Sequence, residues 1–178
     1  MIPYILMWGL LAFPALTNFK NWSKTTVYFL LFCLVIFIGL RVEVGGDWYN
    51  YSFAGAEYKN LPFWKNVVTA PEPSFAILAW IGANWGGGIY VLNIVSSIFF
   101  GIGLLRFCRV QPRPWLALLL AFPYLIIIVG MGYTRQSVAI GMEMLAILAL
   151  QKKRLPEFIG WIAVGATFHR SILILLLL

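Results

Sequence analysis

The sequence is poor in charged residues. They make up 11% of the chain, whereas soluble domains average roughly 25%. Hydrophobic residues make up 62%, and the mean hydropathy is +0.88. This composition excludes an ordinary soluble domain and indicates an integral membrane protein.

The chain also has few cysteine and histidine residues, with two cysteines and one histidine. Cys33 lies inside an apolar run and Cys108 lies beside another, which argues against a disulfide. The residues show no spacing typical of a metal site, so we predict neither a metal nor a cofactor. The net charge of +7 comes from basic residues in short loops rather than on an aromatic-interleaved face, so we predict no nucleic-acid partner.

Long apolar runs take up most of the chain, and they lack the period-two alternation of barrel strands. The run 74–85 would measure roughly 18 Å as a helix, too short to cross a bilayer, so we expect it to be re-entrant or to lie at the membrane surface. We predict an all-α, polytopic protein of about six transmembrane helices, with a GT-C-like arrangement as one option. The predicted spans are residues 2–16, 25–40, 89–105, 115–131, 137–150 and 158–178.

The first run lacks the basic start and the small-residue cleavage site of a signal peptide, so we interpret it as a transmembrane helix. The apolar end of the sequence, Leu175 to Leu178, has no polar residue to finish a helix. We therefore expect residues 1–178 to form one transmembrane domain, and to be the N-terminal part of a longer one.

The basic loops predict the orientation, because cytoplasmic loops are enriched in Lys and Arg. Three loops can be cytoplasmic together only if residues 74–85 do not cross the membrane. The N-terminus, the loop 41–73 and the turn 133–136 are then outside, and we predict a multi-pass protein of the cytoplasmic membrane. The basic residues concerned are Lys20, Lys24, Arg106, Arg109, Arg113, Lys152, Lys153 and Arg154.

The unusual polar residues then converge on the outer face. His169 would lie roughly 17 Å into the last, outward-running helix, which also places it in the outer half. Scattered anchoring charges would not be expected to gather on one side, so we predict a site there. Its members are Arg41, Glu43, Asp47, Glu72, Arg135, Gln136, His169 and Arg170.

Each part of this site also has a plain structural interpretation. Arg41 and Arg135 could be interfacial anchors, and a lone intramembrane histidine often only bonds to a neighbouring helix. The functional interpretation of Arg135 and Gln136 is an anion clamp, because guanidinium donors and a helix N-terminus both favour phosphate. Glu143 lies on the same helix face as Gln136, where it must be protonated, paired or hydrated.

Four motifs resemble those of a known family. Residues 41–51, RVEVGGDWYNY, resemble the arginine–glycine–aspartate–tyrosine signature of the EpsG family of exopolysaccharide proteins, which are similar to Wzy-type polysaccharide polymerases. Three further fragments follow in the family's order and resemble its remaining motifs. They are Glu72-Pro73-Ser74-Phe75, Arg135-Gln136-Ser137-Val138-Ala139 and Phe168-His169-Arg170-Ser171.

The resemblance implies glycosyl transfer outside the cytoplasm, in exopolysaccharide or O-antigen biosynthesis. A glycan on a polyprenyl diphosphate would be passed to a sugar hydroxyl of the next lipid-linked repeat unit. The expected partners are this lipid-linked oligosaccharide, the lipid bilayer and other polysaccharide-assembly proteins. Arg41, Arg135 and Arg170 would stabilise the leaving diphosphate, and the aromatic rings of Trp48, Tyr49 and Tyr51 would stack on sugars.

The attacking hydroxyl needs a base, for which Asp47 and His169 are the leading candidates and Glu43 and Glu72 the next. Imidazole titrates near neutral pH, but we favour Asp47, because it lies on a long loop whereas His169 would be fixed in a helix. The alternatives are a transporter or flippase for a lipid-linked glycan, a membrane acyltransferase with His169 as base, and a non-catalytic fragment.

Overall fold

A computed structural model describes residues 1–17, 19, 22–59 and 62–178, without the side chains of residues 54–57, 66 and 69. All the secondary-structure elements in these ranges are helices, which confirms the predicted all-α class for the described residues. The basic loop residue Lys20 lies outside the described residues. The helices are α1 (Ile2–Leu16), α2 (Lys24–Gly39), α3 (Trp48–Tyr58), α4 (Phe63–Thr69), α5 (Pro73–Trp85), α6 (Ile89–Arg109), α7 (Pro114–Ala121), α8 (Thr134–Gln151) and α9 (Leu155–Ala166).

Two stretches depart from α-helical geometry. α7 continues as a π-helical segment, Phe122–Gly130, which begins beside Pro123. Proline lacks the N–H that an α-helical bond needs, so a change of winding at this point has a local cause. A 3₁₀ helix, Arg170–Leu177, follows α9 after a short break.

α6 and α8 pack closely at the centre of the bundle. A Cβ atom on Gly103 of α6 would collide with the backbone of Gly141 in α8, and one on Gly141 would lie 2.8 Å from the Cα atom of Phe100. Small residues therefore let the two backbones approach each other. α2 and the π-helical segment pack against one side of this pair, where Leu34, Phe100 and Ile126 belong to the same buried cluster.

The helix ends sort into two groups. Arg41 after α2 donates a hydrogen bond to Thr134 at the start of α8, and Thr134 bonds to Asn93 near the start of α6. The N-terminus is at this end too, since Tyr4 packs edge-on against Phe37. We call this the site end.

The opposite end carries the basic loops. Trp22 before α2 packs against Trp115 at the start of α7, and Arg113 is the residue that precedes α7. Arg106 near the end of α6 shares a cavity with Lys152 and Arg154 of the turn between α8 and α9. We call this the basic end.

Residues 41–73, expected as a loop, contain α3 and α4. α5 begins and ends at the site end, because Phe75 in its first turn and Leu92 in α6 pack in one cluster with Tyr51 of α3. Gly86 at φ 103°, Gly87 at φ 86° and Gly88 at φ 52° form the turn between α5 and α6. These left-handed conformations favour glycine.

By length and composition, α6 is the one helix among the described residues that could cross a membrane. Four further stretches are apolar but shorter: α1, α2, α9 and the continuous stretch of α7 with its π-helical extension. The predicted count of about six spans therefore stays a prediction.

The last predicted span is wrong as a single helix. α9 ends at Ala166, and His169 is extended, with φ −157° and ψ 126°. The backbone carbonyl of Thr167 accepts a hydrogen bond from the N–H of Ser74, and the hydroxyls of Ser74 and Thr167 lie 2.8 Å apart. The N–H of Ser74, in the first turn of α5, has no acceptor within that helix and bonds to the residue after α9 instead. The chain leaves α9 at this residue.

Candidate functional site

Glu72 is the centre of a buried polar contact at the site end. Its Oε2 atom accepts a hydrogen bond of 2.7 Å from Nη1 of Arg135, and its Oε1 atom lies 2.9 Å from Nδ1 of His169. The Glu72 side chain is 10% exposed, against 38% for Arg135 and 35% for His169. The carboxylate is therefore shielded, while the two groups that it holds remain accessible from outside the protein.

Three helix ends bring these residues together. Glu72 is the N-cap residue of α5, but its carboxylate caps no backbone N–H and is turned to its two partners instead. Arg135 lies in the first turn of α8, and His169 lies in the break after α9. Arg135 lies at the N-terminus of α8, and the first backbone N–H groups of a helix, which have no partner within it, also favour an anion.

Tyr51 connects this contact to Asp47. Its hydroxyl donates to Oδ2 of Asp47 at 2.8 Å and accepts from Nε of Arg135 at 3.2 Å. The result is one continuous series of hydrogen bonds through five residues, which we call the polar chain: Asp47, Tyr51, Arg135, Glu72 and His169.

Aromatic rings hold the guanidinium of Arg135 in place. Its Cζ atom lies 5.0 Å from the ring centre of Phe75 and 5.7 Å from that of Tyr51. A cation over an aromatic face is attracted by the negative charge of the ring face. Arg135 is therefore oriented by both its hydrogen bonds and these two rings.

Burial governs the ionisation of Tyr51. Removal from water raises the pKa of its phenol to about 12, because the charged phenolate is disfavoured in a poorly hydrated place. The hydroxyl therefore stays protonated at neutral pH, and it remains able to donate to Asp47.

Arg41 is buried and is not part of the polar chain, and each nitrogen of its guanidinium group has a hydrogen-bond partner. Nη1 donates to the carbonyl of Ile38, Nε to that of Val44, and Nη2 to the hydroxyl of Thr134. These bonds satisfy backbone carbonyls at and just after the C-terminus of α2, and they connect this end of the helix to α8. Burial lowers the pKa of Arg41 to about 10, so the side chain remains positive at neutral pH.

An apolar groove of about 690 Å³ has Arg41 among its lining residues. It lies between α1 and α2, with Met7 and Phe32 among its walls and Met131 near the site end. Arg41 is the one charged residue among the described residues that line it. A positively charged residue thus lines the apolar groove at the site end.

The remaining predicted residues lie outside the polar chain. Glu43, Gln136 and Arg170 are exposed, and Nε of Arg170 donates to the carbonyl of Pro71. Trp48 is buried against the ring of Tyr90, and the ring of Tyr51 is packed on Phe75. Among the three aromatics expected to stack on sugars, the exposed ring is that of Tyr49.

The structure adds partners that the sequence patterns did not single out. Thr134 is fully buried and joins Arg41 to Asn93. Ser74 and Thr167 fix the break that places His169 beside Glu72. Both serine and threonine lie within or next to the motifs, but their pairing spans 93 residues and has no local signal.

The geometry of His169 and Glu72 is that of a base and its orienting group. An ionised carboxylate can only accept hydrogen bonds, so Nδ1 carries the hydrogen and Nε2 keeps the lone pair in neutral imidazole. Glu143 of α8 is close enough to His169 to interact with it electrostatically. Within the described residues, no three His, Cys, Asp or Glu side chains stand together as metal ligands, and the expectation of a metal-free site stays a prediction.

A model of the EpsG family matches residues 24–178, a range that contains the whole polar chain. Comparison with curated proteins and with solved structures gave no match. The family match supports a role in exopolysaccharide biosynthesis, and it confirms the resemblance that the four motifs indicated. Because the match covers most of the sequence, the chain belongs to the EpsG family.

Proposed function

We propose that this chain carries the catalytic site of a polysaccharide polymerase. The enzyme transfers a glycan from its polyprenyl diphosphate to a sugar hydroxyl of another lipid-linked repeat unit, on the outer face of the cytoplasmic membrane. The observation that carries this proposal is the polar chain, which combines an accessible guanidinium with a carboxylate-bound histidine. The site end is then the outer end, and the basic end is cytoplasmic.

The donor's diphosphate binds Arg135 in this proposal. Two of the guanidinium nitrogens bond to Tyr51 and Glu72, and the side chain keeps 38% of its surface exposed. Its remaining N–H groups can donate to phosphate oxygens, and fixed donors stabilise the charge that develops on a leaving diphosphate. Buried Arg41 adds a second positive charge nearby.

The polyprenyl chain of the donor lies in the apolar groove between α1 and α2. The groove is mostly apolar, and Arg41 is among the residues that line it at the site end. A lipid whose isoprenoid tail fills the groove would have its charged head at the level of Arg41, whose charge favours an anion. This fit supports a lipid diphosphate rather than a soluble nucleotide sugar as the donor.

His169, rather than Asp47, is the base that this structure favours. The preference for Asp47 depended on a helical His169, and the break after α9 removes that argument. Glu72 fixes the Nδ1 side of the imidazole, which leaves Nε2 to accept the proton of the acceptor hydroxyl. Asp47 acts at the other end of the polar chain, where it holds Tyr51 and, through it, Arg135.

The reaction then balances without a redox step. The acceptor oxygen forms a bond to the anomeric carbon of the donor glycan, and the bond from that carbon to the diphosphate oxygen breaks. The hydroxyl proton passes to Nε2 of His169, and the bonding pair leaves with the diphosphate, whose negative charge faces Arg135. Glu72 stabilises the imidazolium that forms, without itself taking the proton.

A transporter for the lipid-linked glycan would also need cations for the diphosphate. Glycosyl transfer needs a base beside the cation, and the contact between His169 and Glu72 supplies one next to Arg135, which is why we favour it. The test uses the protein as the cell makes it, purified into liposomes with labelled lipid-linked repeat units. We expect products of increasing length on the lipid carrier. Movement of the label across the bilayer without longer products would contradict the proposal.

The orientation has a separate test. Lys59 follows α3 near the site end, and Arg109 lies at the basic end, and both side chains are exposed. In a variant with the native cysteines replaced, Lys59→Cys should react with an impermeant maleimide from outside the cell, and Arg109→Cys should not. The reverse pattern would place the polar chain in the cytoplasm and would refute an outer-face reaction.

A further inference from the structure

A second charged cavity lies at the basic end of the bundle, far from the polar chain. It has a volume of about 200 Å³ and lies between α6, α8 and α9. Three cations from these elements and their ends line it: Arg106 near the end of α6, Lys152 after α8 and Arg154 before α9. α8, which begins beside Arg135 in the polar chain, separates the two sites by roughly 27 Å at 1.5 Å per residue.

The conformation of the turn between α8 and α9 determines which of its basic residues line this cavity. The carbonyl of Ala149 accepts hydrogen bonds from the N–H groups of both Lys152 and Arg154. Lys153 between them is left-handed, with φ 57°, a conformation usually left to glycine. Lys152 and Arg154 line the cavity, whereas Lys153 is not among its lining residues.

The cavity is amphiphilic. Below the cationic rim, Leu145 and Ala149 are buried, and Leu148 and the indole of Trp161 are half-buried. Tryptophan is enriched at the level of lipid headgroups, where an apolar ring meets a polar surface. Positive groups above an apolar floor match a molecule with a charged head and a hydrocarbon tail.

The charge of the cavity favours an anion. Its lining includes three positive side chains and one negative side chain, Glu157, so two positive charges are in excess. Oε1 of Glu157 accepts a hydrogen bond of 2.9 Å from Nη1 of Arg154. This exposed pair leaves Arg106 and Lys152 to attract an external anion, and it orients the guanidinium of Arg154 at the rim.

Basic residues at this end could serve only as topology signals. That explanation is sufficient for three basic residues at this end that do not line the cavity, Arg109, Arg113 and Lys153. The convergence of three cations, one near the end of α6 and two from the turn between α8 and α9, on one amphiphilic cavity goes beyond the requirement for net positive charge.

We propose that this cavity binds the phosphate of an anionic phospholipid, such as phosphatidylglycerol, from the leaflet at the basic end. The phosphate lies among Arg106, Lys152 and Arg154, and an acyl chain follows Leu148 and Trp161. Basic pockets between transmembrane helices are known places for such headgroups. The inference rests on the membrane placement given under the proposed function, but not on glycosyl transfer.

The test measures lipid retained by the detergent-purified protein after addition of limiting phosphatidylglycerol, by native mass spectrometry. We expect phosphatidylglycerol to be retained in preference to phosphatidylcholine. Arg106→Gln with Lys152→Gln should lower retention by about fivefold for each charge removed. Glu157→Gln should raise retention, because it removes the competing carboxylate beside Arg154.

Arg109→Gln with Lys153→Gln is the matched control, since it removes two charges from the same end without touching the cavity lining. Equal losses in the two double variants, at equal thermal stability, would overturn the proposal in favour of bulk surface charge. Equal retention of the two lipids would overturn it as well. Displacement of the lipid by millimolar inorganic phosphate alone would identify a free-phosphate site instead. No lipid-linked glycan is present, so the result does not depend on polymerase activity.

Discussion

Glu72 and His169 stand 97 residues apart in the chain, and their Oε1 and Nδ1 atoms are 2.9 Å apart in the structure. Each was a candidate for the base from the sequence, and the proposed function gives them different roles. Because Glu72 also accepts a bond from Arg135 with its other oxygen, we propose that it orients its partners. Nε2 of His169 is not used in the contact with Glu72, and we propose that it takes the proton of the acceptor hydroxyl.

This contact predicts that Glu72 and His169 act as one unit. Glu72→Gln should lower polymerisation by about 100-fold or more, because the amide holds neither the Nδ1 hydrogen nor the imidazolium charge as well as a carboxylate. Adding His169→Gln to Glu72→Gln should cost little more than the worse single change. The measurement is product length per molecule of protein, at matched membrane content. Multiplicative losses in the double variant would show that the two residues act independently.

Arg135→Lys should impair the reaction by about 100-fold to 1,000-fold. Lysine carries the charge, but it cannot bond to Tyr51, Glu72 and a phosphate at once in a planar arrangement. Arg109→Lys is the matched control, because Arg109 is an exposed arginine at the basic end. The assay is the rate of chain growth at saturating lipid-linked donor. Normal growth with Arg135→Lys would reduce this arginine to an anchor at the membrane interface.

Tyr51→Phe isolates the hydroxyl that connects Asp47 to Arg135. The ring contact with Phe75 is kept, while the bonds to Asp47 and to Nε of Arg135 are lost. Because these bonds involve charged partners, we expect activity to fall about tenfold. Tyr28→Phe, on an exposed ring of α2, serves as the control. Equal activities of the two variants would mean that the link through Tyr51 has no part in the reaction.

Gly45 and Gly46 are adjacent, but the structure makes different demands on them. Gly45 has φ +104°, and a Cβ atom there would collide with the carbonyl of Met131, just before α8. Gly46 has open space around it. Gly45→Ala should lower the free energy of unfolding by about 2–4 kcal/mol, and Gly46→Ala by about 0.5 kcal/mol or less. Thermal melts of the purified variants would measure this, and similar melting temperatures would contradict the close approach of Gly45 to the backbone before α8.

Much of the helical pattern could be predicted from the sequence, for clear local reasons. The bounds of α1 agree with the first apolar run, and Pro73 and Gly86 mark the start and the end of α5, as these residues commonly do. The grouping of polar residues at one end followed from counting basic loops. Each of these signals depends on neighbouring residues or on a simple count of residues, so it can be identified in a single sequence.

The details of the site depended on distant partners. The apolar sequence after Phe158 predicts one continuous helix, but the bonds between Thr167 and Ser74 end it at Ala166. Tyr51 was expected to stack on sugars, and its hydroxyl instead joins two charged residues. Tertiary contacts over long separations decide such cases, and no local pattern in the sequence records them.

The most direct test of the central claim compares His169→Gln with Asp47→Asn in the protein as the cell makes it, with glycan length on the lipid carrier as the readout. We expect His169→Gln to leave single repeat units with donor binding intact, and Asp47→Asn to retain shorter polymer. Tyr51, with its pKa of about 12, and Arg41, with its pKa of about 10, both stay protonated up to neutral pH, so a change in either group does not account for a difference between the two variants measured there. Normal polymer from His169→Gln, with none from Asp47→Asn, would contradict the account and return the role of base to Asp47.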